Sequence, residues 1–203
     1  MMSTTHAMFA KELREHIYLM YGVKLKKTSL VYGSIKPDAS TIFAKYPHYI
    51  NKSLGMLCER ISILEEIASS IENIETRAFS RELGVVSHYL ADYFCRVHND
   101  INGIKHNENF GHILYEQKLA RKTKQQELNA IREEILNRID RELINIEKTS
   151  IKSYIVTKHR KYMCEAGKLF LYNNTRKRYM LDIRYAMEMI IVIGTYIFQN
   201  IQY

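Results

Sequence analysis

Residues 81–98 read RELGVVSHYLADYFCRVH, and the spacing within them decides the fold. Leu83, Val86, Leu90, Phe94 and Val97 recur every three to four residues, which places one apolar stripe on a helix beginning after Ser80. On that helix His88 and Asp92 stand four residues apart, so both side chains leave the same face about one turn apart. A basic and an acidic ligand type on one face of an apolar helix is the first pointer to a metal.

The same helical period runs outward in both directions. Phe9, Leu13, Ile17 and Met20, preceded by Thr5 as a cap and closed by Gly22, predict a helix over about residues 6–21. Tyr32 to Pro47 holds both prolines together with Gly33, Ser34, Asp38 and Ser40, and predicts an ordered loop. A second helix is expected from His48 or Tyr49 through Leu54, Leu57, Ile61, Leu64 and Ile67. Beyond a polar loop at Asn99–Asn109, one long helical stretch through Leu128, Ile131, Ile135, Ile139 and Leu143 is expected, with a break around Lys122 to Gln125. Helices over about 152–171 and 175–200 complete the pattern. With 2 Pro and 8 Gly in 203 residues, a turn-rich sandwich or barrel is disfavoured, and the expected fold is an all-α bundle of about six helices in one domain, 1–203.

The composition narrows compartment and partners. Lys and Arg (30) exceed Asp and Glu (22), so the formal net charge is +8 and the surface should attract polyanions. Cys58, Cys95 and Cys164 have no CxxC spacing, which speaks against a disulfide framework or a cysteine zinc site and fits a reducing, cytoplasmic compartment. The N-terminal residues have no secretory pattern. Met187 to Ile201 is apolar but interrupted by Glu188, Gln199 and Asn200, and it is shorter than the roughly 20 residues of a spanning helix. A buried core helix is expected there.

His112 and Glu116 repeat the four-residue spacing of His88 and Asp92, and His98 lies between the two pairs. Either pair alone is commonly a surface hydrogen bond, so the weight lies on the combination. His16, His106 and His159 are expected to be solvated or locally hydrogen-bonded, Cys95 to be a small buried residue, and the basic runs Arg121-Lys122-Lys124 and Arg176-Lys177-Arg178 to be solvated faces. No histidine is followed by Asp and none has Glu three residues before it, which argues against an HD-type phosphohydrolase and a ferritin-like di-iron protein.

The ordered set His88, Asp92, His98, His112 and Glu116 resembles the zinc-dependent phospholipase C family, the fold shared by bacterial phosphatidylcholine-preferring enzymes and the N-terminal domain of clostridial alpha-toxin. Thr5-His6 before Phe9-Ala10-Lys11-Glu12, Gly33-Ser34-Ile35-Lys36-Pro37-Asp38, and His48 in Tyr46-Pro47-His48 extend the likeness upstream. The resemblance implies a trinuclear zinc centre at one end of a helical bundle. Asp38, His48, His88 and Asp92 would hold one ion, His98, His112 and Glu116 a second, and His6 with bridging Asp92 a third. Neutral imidazole and carboxylate are the right donors for zinc. It also implies hydrolysis of a phosphoric diester, with Asp38 as general base or water-orienting group. In the family an N-terminal tryptophan also holds the third ion. This chain has no Trp, so the Met1 amine or a backbone carbonyl would have to stand in. No separate membrane-binding β-domain is expected.

The resemblance thus implies a phospholipid or other phosphoester substrate, with peripheral contact to anionic membrane. S1/P1-type single-strand nucleases share the fold and the zinc triad, but Glu116 favours the phospholipase branch because the nucleases typically carry Asp there. A third reading is a non-catalytic basic helical protein that binds anionic membrane or nucleic acid.

Overall fold

The computed structural model describes residues 3–70, 75–99, 115, 117–119, 121, 125–171 and 175–201. Among them are eight α-helices with described bounds, two short 3-10 turns and no strand; residues 115, 117–119 and 121 are helical as well. The helices are α1 (Ser3–Tyr21), α2 (Lys27–Ala39), α3 (Ile50–Ser69), α4 (Arg77–Tyr93), α5 (Gln125–Leu136), α6 (Ile139–Thr149), α7 (Ile151–Leu171) and α8 (Thr175–Phe198); the 3-10 turns are Thr41–Phe43 and Arg96–His98. The all-α expectation holds.

α4 and α8 are the structural axis. α4 packs on α1, α2, α3 and α8, and α8 packs in addition on α1, α3, α5, α6 and α7. On α4, Leu83, Val86 and Leu90 are buried as their spacing requires, and so are Val85, Tyr89, Ala91 and Tyr93, because partners cover the helix on more than one side. On α8, Met187 and the run from Met189 to Ile193 are buried, so the apolar C-terminal stretch is core. Among the described residues no helix is long and apolar enough to cross a membrane.

Four expectations are corrected. The stretch predicted as a loop from Tyr32 to Pro47 is helical up to Ala39, with Pro37 in the last turn of α2. Glycine and proline carry turn signals there. Gly33 serves instead as a contact surface: a side-chain carbon on it would run into the Arg81 carbonyl, and one on Gly84 would run into the Leu30 carbonyl. Removing both β-carbons lets α2 and α4 lie backbone against backbone. Pro37 cannot donate to the Gly33 carbonyl, and the helix ends two residues later.

Secondly, α4 starts at Arg77, capped by the Thr76 side chain, which accepts from the Phe79 N–H at 3.1 Å. It stops at Tyr93, so Val97 and His98 lie outside it, on the second 3-10 turn. Thirdly, the long stretch through Leu128 and Leu143 is two helices, interrupted at Asn137 and Arg138. At the N-terminus, Thr5 lies inside α1 and is buried, so it is no cap. Gly22 does close α1 as expected: it takes φ +65° and its N–H bonds to the Tyr18 carbonyl at 2.9 Å.

Candidate metal centre

Five elements converge on one carboxylate. α4 supplies His88 and Asp92, both with 0% side-chain exposure. The last turn of α2 supplies Asp38, α1 supplies His6, the segment entering α3 supplies His48, and the 3-10 turn after α4 supplies His98. The close α2–α4 approach at Gly33 and Gly84 brings Asp38 to His88: Asp38 Oδ1 lies 3.5 Å from His88 Nε2 and 3.5 Å from His48 Nδ1. Asp38 and Asp92 both come from the C-terminal turns of their helices, the ends whose partial negative charge favours a cation.

Asp92 is shared between two groups of histidines. Its Oδ2 faces His48 Nδ1 at 2.8 Å and His88 Nε2 at 3.1 Å. Its Oδ1 faces His6 Nε2 at 3.3 Å and His98 Nε2 at 3.4 Å. The His6 and His88 rings stack at 4.0 Å between centroids, closing the two groups against each other.

His98 reaches Asp92 only because α4 ends first. On a continuous helix a residue six positions on would be turned roughly 240° away from Asp92. The backbone instead becomes extended at Cys95 and coils tightly through Arg96–His98, which returns the imidazole to the carboxylate.

The donor chemistry fits zinc. His88 donates its Nδ1–H to the Ser34 carbonyl at 2.9 Å, which fixes the tautomer and leaves Nε2 with a lone pair. In that tautomer Nε2 and Asp92 Oδ2, 3.1 Å apart, are both acceptors, and a positive charge between them, a proton or a metal ion, is what lets them face each other. Likewise, neither ring nitrogen of buried His6 makes a hydrogen bond among the described residues. One ligand atom each from Asp38, His48, His88 and Asp92 lies within 4.8 Å of the others, and five of the six pair separations fall between 2.8 and 3.5 Å, near the roughly 3.4 Å edge of a tetrahedron with zinc-ligand bonds.

Electrostatics follow from burial and these contacts. Burial, with the His88 charge beside it, pushes His6 well below its ordinary value. His48 is raised, because the pull of Asp92 and Asp38 outweighs its burial. Asp92 is held well below the carboxylate range: burial opposes this, and His98, His88 and His6 together overcome it. Asp38 is raised chiefly by burial, although at 36% exposure it is the most solvent-accessible of the four clustered ligands.

A family comparison, independent of this geometry, matches residues 5–169 to the model described as zinc dependent phospholipase C. The chain belongs to that family. The match covers most of the chain and spans His6, Asp38, His48, His88, Asp92, His98, His112 and Glu116. Searches of curated proteins and of solved structures gave no match. Family membership, the helical fold and the four-residue cluster agree on a zinc phosphoesterase.

The structure brings together six of the eight residues singled out from sequence: His6, Asp38, His48, His88, Asp92 and His98. His112, Glu116 and Met1 lie outside the described residues, as does His106. Two histidines expected to be solvated or locally bonded instead meet partners distant in sequence. His16 is buried with Nε2 2.7 Å from Thr195 Oγ1 on α8, and burial pushes it down to about 4. His159 Nε2 lies 2.6 Å from the Asn99 side-chain oxygen, and burial lowers it to about 4 as well. Cys95 is buried, as expected. Spacing alone did not reveal Asp182, a buried acid on α8 between Tyr179 and Ala186; a lone carboxylate on an otherwise apolar stripe was the available signal.

Proposed function

We propose that the chain is a zinc-dependent phosphodiester hydrolase of the phospholipase C type, acting on a phospholipid. Asp38, His48, His88 and Asp92 hold one ion, His98 with His112 and Glu116 a second, and His6 with Asp92 a third. The observation that carries this reading is the division of Asp92, one oxygen among His48 and His88 and the other between His6 and His98. A carboxylate shared in this way is suited to bridging two cations.

When bound, zinc supplies Lewis-acid stabilisation of the phosphoryl oxygens and a lowered pKa for an attacking water. The chain's own residues do the rest. Asp38, the ligand most open to solvent, orients the water and accepts its proton. The Ser34 carbonyl holds His88 in one tautomer, and the α2–α4 contact holds Asp38 against it. Tyr89 lies edge-on to His48 at 5.3 Å between centroids and donates to the Tyr46 carbonyl at 2.9 Å, which fixes the segment leading to His48.

The direct test compares hydrolysis of short-chain phosphatidylcholine with that of single-stranded DNA by the zinc-loaded chain. Cleavage of the lipid alone supports the reading. Cleavage of DNA alone moves the chain to the nuclease branch, which its net charge of +8 would suit. Salt-sensitive binding of either, with no turnover, leaves a non-catalytic binding protein.

A further inference from the structure

His98 depends on a three-residue 3-10 turn, a form with poor internal hydrogen bonding that needs outside support. Asp182, 2% exposed on α8, provides it. Its Oδ2 accepts the backbone N–H of Arg96, the first residue of that turn, at 3.0 Å, and the Tyr115 hydroxyl at 2.7 Å. Its Oδ1 accepts the Tyr162 hydroxyl of α7 at 2.8 Å. Asn99 closes the far end of the turn: its amide donates to the Tyr93 and Cys95 carbonyls at 3.0 and 2.8 Å, and its oxygen meets His159.

A buried carboxylate is a costly way to join helices, since an apolar side chain of similar volume commonly serves as well or better. Its use here needs a reason beyond cohesion. The three donors come from the His98 turn, from α7 and from Tyr115, the residue before Glu116 in sequence.

We infer that Asp182 is a positioning residue for the metal centre: by holding the Arg96 N–H it fixes the turn that presents His98 to Asp92 Oδ1, and so sets zinc affinity on the His98 side. The inference rests on the hydrolase reading above. Asp182 acts through the turn and not on zinc, and it lies beyond the span matched by the family.

The test is zinc retention by the full chain, read by elemental analysis and by competition with a graded series of chelators. Wild type is expected to hold two or three ions. Asp182→Leu, branched at the same carbon but uncharged and somewhat bulkier, should weaken one ion about 10- to 100-fold, as loss of such outer contacts does, while the others keep their affinity. Asp182→Asn should restore retention, because its carbonyl oxygen still accepts from Arg96 and the Tyr162 hydroxyl can turn to accept from its amide. Should Asp182→Leu fail to fold, Asp182→Ser, too short to reach Arg96, must show the same selective loss.

Unchanged affinity at every site, or equal weakening of all of them, overturns the assignment and leaves the hydrolase reading standing. A single ion in wild type also overturns it. A wild type that takes up no zinc overturns the hydrolase reading and this inference together.

Discussion

Asp38 and Asp92 have the same side chain but different surroundings, and the surroundings divide their roles. Asp92 is enclosed by His6, His48, His88 and His98, and its carboxyl is held well below the ordinary carboxylate range. Asp38 keeps one side toward solvent and is raised by burial, which suits a group that must take up a proton. Asp38→Asn, which keeps an oxygen for the metal, should lower kcat by about 100-fold or more while zinc content stays at the wild-type value. Steady-state kinetics alongside elemental analysis checks this, and undiminished turnover would remove Asp38 from the chemistry.

Asp182 allows a pH prediction of definite sign. Burial raises its carboxyl to about 6, against the donors that hold it. A carboxyl raised on folding binds more protons in the native state than in the unfolded one, so its contribution to stability is complete below pH 4 and is lost as pH rises toward 6. Two pKa units correspond to about 3 kcal/mol. Asp182→Asn has no such titration. In urea unfolding of the zinc-free chain, its stability relative to wild type should rise by about 2 kcal/mol between pH 4 and pH 7. A constant difference would contradict the raised carboxyl.

At the scale of elements, the α2–α4 contact carries the geometry. A methyl group on Gly84 meets the backbone of α2 and cannot be relieved by a rotamer change. Gly84→Ala should cost about 1–3 kcal/mol and weaken zinc binding, because it parts Asp38 from His88. Gly55, on the exposed side of α3 with open space around it, is the control. Gly55→Ala should add about 0.5–1 kcal/mol and leave zinc binding unchanged, both read by thermal unfolding and zinc titration.

The same elements show what a sequence can disclose. α4 was legible because its apolar stripe and its His-Asp pair share one period, and α7 and α8 followed from theirs. α2 was not, because Gly33 and Pro37 carry turn signals: Pro37 marks the end of a helix and not a loop, and the use of Gly33, a close crossing, depends on Arg81, 48 residues further on. His98 was named from order and offset. Why it reaches Asp92 lies in the break after Tyr93, and that break is held by Asp182 and Asn99 through contacts no local pattern records.

Among the described residues, buried charge is most concentrated in two networks of several groups each. One is the metal centre. The other joins α6, α7 and α8, where Lys158 bridges Glu142 at 2.9 Å and Glu188 at 2.7 Å, Arg138 pairs with Glu188 at 2.7 Å, and Tyr154 donates to Glu142 at 2.8 Å. Burial pushes Glu142 up, but the Lys158 and Tyr154 hydrogen bonds outweigh it and hold the carboxyl below its ordinary value. Its contribution to stability is therefore present above the ordinary carboxylate range and is lost as pH falls through the lowered value. Lys158→Met leaves two buried carboxylates with only Arg138 between them and should destabilise the chain by about 3–5 kcal/mol, measured by urea unfolding at pH 7.

The metal centre gathers α1, α2, the entry to α3, α4 and the turn after it. Metal bound to the native state alone adds RT ln(1 + [L]/Kd), so stripping the zinc should lower the thermal midpoint of the whole chain. The most direct measurement of the central claim is the zinc content of the purified chain with no metal added. Two or three ions per chain are expected, matching the two sides of Asp92. One ion, or none, in protein that is still folded would contradict a shared carboxylate centre.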